Sequence, residues 1–319
     1  MNILPHAVLS GMLSILPMAV GGCKVCSNRT PAALQFGVAA DVQYAQKPPA
    51  MGRHYARSLD ALKRCVEEFN RRSPAFVIQL GDLIDGRENA QEDMREAVSV
   101  YDALVMPHYH LLGNHDFSGL PRSSTMCLLG LEQAWYAFDV QGWRFVVLDT
   151  QDLAVEGGWE KSSLRYQQSL DMLIQLQAAG AANAQTYNGG LGSQQLVWLD
   201  AQLTDADRQG MPVIVFGHLP LMPSDEKHIA WNAEQVVSVF EKHRCVRAYF
   251  SGHRHSGGYT LHNGIHYITL EAMVDSADTD GAWAIVKLAP QTIIIEGTGA
   301  VASRTLELPP HKAERRRLD

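Results

Sequence analysis

Phe76-Val77-Ile78-Gln79-Leu80-Gly81-Asp82 and His108-Tyr109-His110-Leu111-Leu112-Gly113-Asn114-His115-Asp116 share one form. Each begins as a short run that reads as a strand. Each then turns at a glycine, which tolerates the sharp backbone bend at a strand end. The side chain after the glycine is a carboxylate or an amide. Open α/β sheets collect ligands at the carboxyl edge of their strands, so two such ends predict one shared polar site. Three further pieces repeat the form: Asp41-Val42-Gln43, Gly217-His218 and Gly252-His253-Arg254-His255.

Outward from these pieces the chain alternates. Leu34 to Ala40 reads as the first core strand. Arg53 to Arg72 reads as an amphipathic helix with Leu59, Leu62, Val66 and Phe69 on one face. Gln91 to Leu104 is predicted as a second helix, stopped by Pro107. Gln141-Gly142 marks a hairpin between Ala134–Val140 and Trp143–Asp149. A helix is predicted over about Ser163–Gln177, another capped by Ser193, and a third capped by Asn232 and ending at Lys242. Pro212–Phe216 and Val246–Ser251 read as buried strands, and the end of the chain as hairpins around Asn263-Gly264 and between Trp283–Leu288 and Thr292–Gly297. Strands alternate with helices early and become hairpins late. This predicts an α/β fold, a four-layer αββα sandwich of two mixed sheets with helices outside.

The polar pieces run from residue 41 to residue 255, so one continuous scaffold must bring them together. The expected organisation is a leader over residues 1–30, a single domain over 31–308 with an insertion or lid at 151–192, and a polar tail over 309–319. Residues 1–22 are apolar, lack Asp, Glu, Lys and Arg, and are interrupted by Pro5 and Pro17. They lack the positive start of an export signal and give no firm sign of a membrane span. A cytoplasmic location is the expectation, with export or lipid anchoring if those residues act as a signal. The net charge of −7 and the absence of a basic run in the body argue against a nucleic-acid partner. The five cysteines have no framework spacing, and Cys23-Lys24-Val25-Cys26 reads as free thiols of the leader, with a redox or zinc element as the alternative. Nothing in the sequence addresses oligomeric state.

Asp41, Gln43, Asp82, Asn114, His218, His253 and His255 offer oxygen and imidazole donors and no thiolate. That mixture suits a divalent ion such as Mn, Fe, Zn or Ni rather than a Cys-rich structural site. Seven ligands exceed one tetrahedral ion but serve two ions that share a carboxylate, with Asp82 the best bridge. Two such ions clamp the oxygens of an in-line displacement at phosphorus. Singly, each piece is a common turn. Five in order, each after a strand-like run, are a different matter.

These five pieces resemble the signature of the calcineurin-like metallophosphoesterases. Ala40-Asp41-Val42-Gln43-Tyr44, Asn188-Gly189-Gly190, His218-Leu219-Pro220, Ala230-Trp231-Asn232 and Gly257-Gly258-Tyr259 also resemble the manganese-dependent ADP-ribose/CDP-alcohol diphosphatase branch. The likeness spans most of residues 34–307. Gln43 stands where most of the superfamily has His, and a neutral amide oxygen favours Mn or Mg over Zn. The tyrosine of purple acid phosphatases is replaced by Asp85.

The resemblance implies two divalent metal ions, expected to be Mn, with Mg, Fe or Zn as alternatives. One would take Asp41, Gln43, Asp82 and His255; the other Asp82, Asn114, His218 and His253. His115 would protonate the leaving oxygen or stabilise charge on phosphate, with Asp116 orienting its ring. Trp231, His228 and Arg254 are the candidate substrate contacts. Trp231 is read either as a base-stacking platform or as packing, and Arg254 as a phosphate partner or as solvent-facing. The implied activity is cleavage of the diphosphate linkage of ADP-ribose, CDP-alcohols or related small nucleotides. Cyclic-nucleotide phosphodiesterase or general phosphoesterase activity, and a non-catalytic scaffold on the same fold, are the alternatives.

Overall fold

Strands of three to eight residues set the frame. The computed structural model describes residues 34–224 and 226–308. The predicted leader and the polar tail lie outside the described residues. The first sheet contains β1 (Leu34–Ala39), β2 (Phe76–Gln79), β3 (His108–His110), β10 (Ala282–Ala289), β11 (Thr292–Gly299) and β12 (Arg304–Glu307). Its order is β12-β11-β10-β1-β2-β3, with β1, β2 and β3 parallel and the remaining pairs antiparallel. The second contains β4 (Tyr136–Val140), β5 (Trp143–Val147), β6 (Val213–Phe216), β7 (Val246–Ser251), β8 (Ser256–His262) and β9 (Ile265–Glu271). Its order is β4-β5-β6-β7-β9-β8, with β5, β6, β7 and β9 parallel.

The sheets meet through aromatic rings. Phe36 of β1 stacks on Phe76 of β2 at 5.1 Å. It meets Phe145, Phe216 and Phe250 of the second sheet edge-on at 5.9, 5.6 and 5.8 Å. Such pairs contribute about 0.5–1.5 kcal/mol each beyond area burial. On the outside of the first sheet, α1 (Ser58–Arg72) buries Leu62, Cys65, Val66 and Phe69, with α2 (Ala90–Tyr101) beside it. On the outside of the second, α5 (Ser193–Gln209) and α6 (Ala233–Lys242) bury Leu199, Leu203, Val236 and Phe240 in one cluster with Val146, Val215 and Tyr249. The four layers expected from the sequence are present.

Details differ from the sequence reading. α1 starts at Ser58, not Arg53, because residues 53–57 spend their backbone and charge elsewhere: His54 N–H donates to Val274 O, and Arg57 pairs with Asp278. Gly192, not Ser193, holds the cap position of α5, and its N–H donates to Asp152 Oδ2 at 2.9 Å. Asn232 precedes α6 but caps nothing with its side chain, which instead exchanges hydrogen bonds with both the N–H and the C=O of Leu191. β12, α3 (Arg122–Leu128) and the short α7 (Met273–Ser276) are elements the periodicity did not announce. α4 (Leu164–Ala178) fills the segment expected as an insertion, capped by the Ser163 hydroxyl, which accepts from Tyr166 N–H. Both Xaa-Gly hairpins fold as read: Gln141 and Gly142 have φ of 48° and 83°, Asn263 and Gly264 of 49° and 81°, the turn that suits two-residue loops. Among the described residues no helix is long and apolar enough to cross a membrane.

Candidate active site

Parallel strands of both sheets end at one edge. There the chain leaves β1 at Asp41 and Gln43, β2 at Asp82, β3 at Asn114, β6 at His218 and β7 at His253 and His255. The backbone is strained at this edge. Asp41, Gln43, Asp82 and His253 all adopt left-handed φ, at 52°, 42°, 54° and 65°. Each such non-glycine position costs about 1–3 kcal/mol and clusters characteristically at functional sites. Two glycines make room for the carboxylates. A Cβ on Gly113 would lie 2.1 Å from Asp82 Oδ1, and one on Gly252 2.4 Å from Asp41 Oδ2.

The seven side chains converge. Asp82, His218 and His253 place ligand atoms within 4.8 Å of one another. His218 Nε2 lies 3.2 Å from Asn114 Oδ1, 3.2 Å from His253 Nδ1 and 3.3 Å from Asp82 Oδ2. His255 Nε2 lies 3.7 Å from Asp41 Oδ1 and 3.1 Å from the Gln43 amide nitrogen, which is itself 3.2 Å from Asp82 Oδ2. Asp82 therefore stands between the two groups.

The outer edge of each ring fixes its tautomer. His218 Nδ1 faces Leu80 O at 2.8 Å, so Nδ1 donates and Nε2 turns inward. His255 Nδ1 faces both Asp275 carboxylate oxygens at 3.0 and 3.1 Å, again leaving Nε2 inward. His253 is reversed, with Nε2 3.1 Å from Asn188 Oδ1 and Nδ1 inward.

The result is a buried cluster of acceptors that calls for positive charge. Burial pushes the Asp82 carboxyl up, but the imidazoles of His218 and His115 hold it well below the usual range. Burial raises Asp41 despite His218 and His255. For His218, burial opposes the charged ring, but Asp82 carries it up to about 9, whereas burial and His218 push His253 down. A proton on His218 Nε2 and a metal ion compete for the same lone pair. Gln43 adds an independent sign, since its Oε1 is buried with no hydrogen-bond partner. Turning that amide by half a revolution exchanges its two ends and would set Oε1 beside Asp82 Oδ2 and His255 Nε2, where a cation offsets its repulsion from the carboxylate. Oxygen and imidazole donors in this number fit two hard or borderline divalent ions.

His115 stands beside the cluster, with its backbone N–H on Asp82 Oδ1 at 2.8 Å. Its ring Nδ1 faces Asp85 O at 3.2 Å and Asp85 Oδ1 at 3.3 Å. Burial opposes its charge, but Asp82 and Asp85 carry it up to about 9. The carboxylate that faces the His115 ring is thus Asp85, not the expected Asp116. Asp116 is fully buried and occupied with backbone: it accepts from the N–H groups of Gly113, Asp82, Leu83 and Ile84 at 2.9, 3.0, 2.8 and 3.3 Å. It ties the first two motifs together. Asp85 in turn pairs with Lys47, whose ammonium sits 3.7 Å over the Tyr55 ring.

The expected substrate contacts separate. Trp231 is 4% exposed and its indole N–H donates to Gln185 O, so its ring belongs to loop packing and offers no face for stacking. His228 lies at the rim, stacked on Tyr187 at 5.6 Å and 5.9 Å from the His253 ring. Arg254 is partly exposed and pairs with Glu226 at 3.5 Å. Tyr187, Asn188, Asp85 and Asp275 escaped the sequence reading. Of these, Asn188 carried a signal in the Asn188-Gly189-Gly190 run, and Asp85 one at the place of the purple acid phosphatase tyrosine.

Comparison with known proteins accords with this geometry. The family model described as calcineurin-like phosphoesterase matches residues 34–257. The manganese-dependent ADP-ribose/CDP-alcohol diphosphatase of Bos taurus is 32% identical, over 85% of this chain and 93% of that protein. The enzyme of the same name from Oryza sativa subsp. japonica is 30% identical, over 89% and 97%. Among solved structures, a dimetal phosphatase from Danio rerio superposes with a TM-score of 0.80 at 31% identity, over 87% of this chain and 100% of that one.

Proposed function

The chain belongs to the calcineurin-like phosphoesterase family of metal-dependent hydrolases, and from that premise we propose that it cleaves the diphosphate linkage of ADP-ribose, CDP-alcohols or closely related small nucleotides. The observation that carries this reading is the acceptor cluster of Asp41, Gln43, Asp82, Asn114, His218, His253 and His255, with His115 beside it. The relatives' substrates and their dependence on manganese supply the substrate class.

Asp41, Gln43, Asp82 and His255 would hold one ion, and Asp82, Asn114, His218 and His253 the other. When bound, two such ions polarise phosphoryl oxygens and make water a competent nucleophile near neutral pH. His115 supplies what the ions do not. Its Nδ1 is engaged by Asp85, so Nε2 is the ring atom left for the substrate, and the two carboxylates favour its protonated form. It donates to the phosphoryl or leaving oxygen as charge develops there. Asp85 orients it. At the rim, Tyr187 with His228 replaces Trp231 as the aromatic surface for a nucleobase, and Arg254 flanks the opening.

The test is a product-resolved hydrolysis assay with Mn²⁺, offering ADP-ribose, CDP-choline and cyclic AMP side by side. Release of AMP or CMP from the diphosphates is expected. Turnover of cyclic AMP alone would overturn the substrate class and favour a phosphodiesterase.

A further inference from the structure

Asn188 is fully buried, and all of its polar capacity is committed. Its Nδ2 donates to Asn183 O at 2.9 Å and to Lys227 O at 2.7 Å. A flipped amide would set Oδ1 against both carbonyl oxygens, so the side chain has one orientation. That orientation places Oδ1 3.1 Å from His253 Nε2. An amide oxygen can only accept, so Nε2 carries the ring proton and the lone pair is left at Nδ1. This is the atom 3.2 Å from His218 Nε2, in the acceptor cluster.

We propose that Asn188 is a positioning residue that locks His253 in the Nε2–H tautomer and so presents Nδ1 as a metal ligand. The inference deepens, and rests on, the two-metal reading of the site. Its reach is long, because Asn188 is 65 residues from His253 and arrives on a different loop. That loop is fastened to the one following β6. Asn183 Nδ2 donates to Ala230 O at 2.9 Å, Trp231 N–H to Gly189 O at 2.7 Å, and the Trp231 indole to Gln185 O at 3.2 Å. Trp231 thus serves the site indirectly, by seating the loop that carries Asn188. Ring-nitrogen partners of metal-bound histidines typically govern metal affinity by ~10–100-fold.

Two variants of the full chain separate positioning from loop structure. Asn188→Leu removes the acceptor and both donations. Asn188→Asp keeps an acceptor for His253 and loses the donations. Mn²⁺ is titrated calorimetrically into each protein, with the bound ions counted by electron paramagnetic resonance. The imidazole ¹⁵N shifts of His253 are read on the same proteins before Mn²⁺ is added. Asn188→Leu is expected to weaken one of two Mn²⁺ sites by about 10–100-fold and to give a mixed tautomer at His253. Asn188→Asp is expected to retain both the affinity and the Nε2–H form. An Asn188→Leu protein with both sites intact and His253 unchanged overturns the proposal. So does an Asn188→Asp protein as impaired as Asn188→Leu, which would make the role that of holding the loop. Wild-type protein that shows the Nε2–H form but takes up no Mn²⁺ would sink the two-metal reading, and the ligand role of His253 with it.

Discussion

The two halves of the site are held by different means. The first sheet supplies oxygen, from Asp41, Gln43, Asp82 and Asn114; the second supplies nitrogen, from His218, His253 and His255. Three of the four oxygen residues stand on left-handed backbone, with φ of 52°, 42° and 54°. Of the imidazoles only His253 shares that backbone, with φ of 65°, and all three are gripped from behind, by Leu80 O, Asn188 Oδ1 and the Asp275 carboxylate. The contrast has a physical cause. A carboxylate on one methylene goes where its backbone sends it, and its two oxygens are equivalent. An imidazole must also be told which nitrogen keeps the proton, and only a neighbour can do that. The oxygen half is therefore specified locally, the nitrogen half by tertiary contact.

Breaking the shared point should have the largest effect. Asp82→Asn removes the one carboxylate that stands between both groups. Turnover should fall by several orders of magnitude, with elemental analysis showing loss of bound metal. A variant that keeps two metals and wild-type turnover would contradict the bridging position.

His115 sharpens the comparison, because it is an imidazole on the oxygen half held as the nitrogen half is held. His115→Ala should lower kcat by about 10²–10⁴-fold while metal content stays the same. Asp85→Asn should cost less, with a distinctive pH signature. Asp85 raises the ring's pKa, and the proton-donating form is lost as pH rises through it. Removing that charge should move the alkaline limb of the pH–rate profile to lower pH. Asp116→Asn should leave that limb in place, since its carboxylate reaches backbone and not the ring.

Gly113→Ala tests how closely the oxygen half is packed, because Gly113 and Asp82 meet from different strand ends. The added methyl would lie 2.1 Å from Asp82 Oδ1 and 2.3 Å from Asp82 N. Weaker Mn²⁺ binding is expected in a titration, with no change to any ligand residue.

The smallest effect concerns an imidazole outside the site. His110 on β3 is 5% exposed, and burial followed by the nearby His108 holds it down at about 3. Its folded pKa lies below the unfolded value near ~6.5, so the unfolded chain takes up the proton first. His110 then has no effect on stability above about pH 6.5 and costs stability progressively as pH falls from there towards 3, on the order of a few kcal/mol at the acid end. Acid titration of folding should show that slope in wild type, and His110→Phe should flatten it. An unchanged slope would mean that His110 is already charged in the folded protein.

Much of the fold is legible in the sequence because burial and turn chemistry are local. The alternation of apolar runs and amphipathic helices marks every strand of both sheets except β12, and α1, α2, α4, α5 and α6. Gln141-Gly142 and Asn263-Gly264 announce their hairpins because those turns require positive φ. β12 and α3 lack such periodicity. The cap positions at Gly192 and Asn232 are decided by Asp152 and Leu191, residues distant in the chain.

The sequence by itself determined the donor types and their places at strand ends, since a glycine and a polar residue after a buried run are neighbours in the chain. Only the tertiary structure decided what stands behind them: that Asp85 rather than Asp116 faces His115, that Trp231 is packed rather than offered to a base, and that Asn188 sets the tautomer of His253. Those assignments depend on distances of about 3 Å between segments far apart in the chain, where a hydrogen bond is made or lost within a fraction of an ångström.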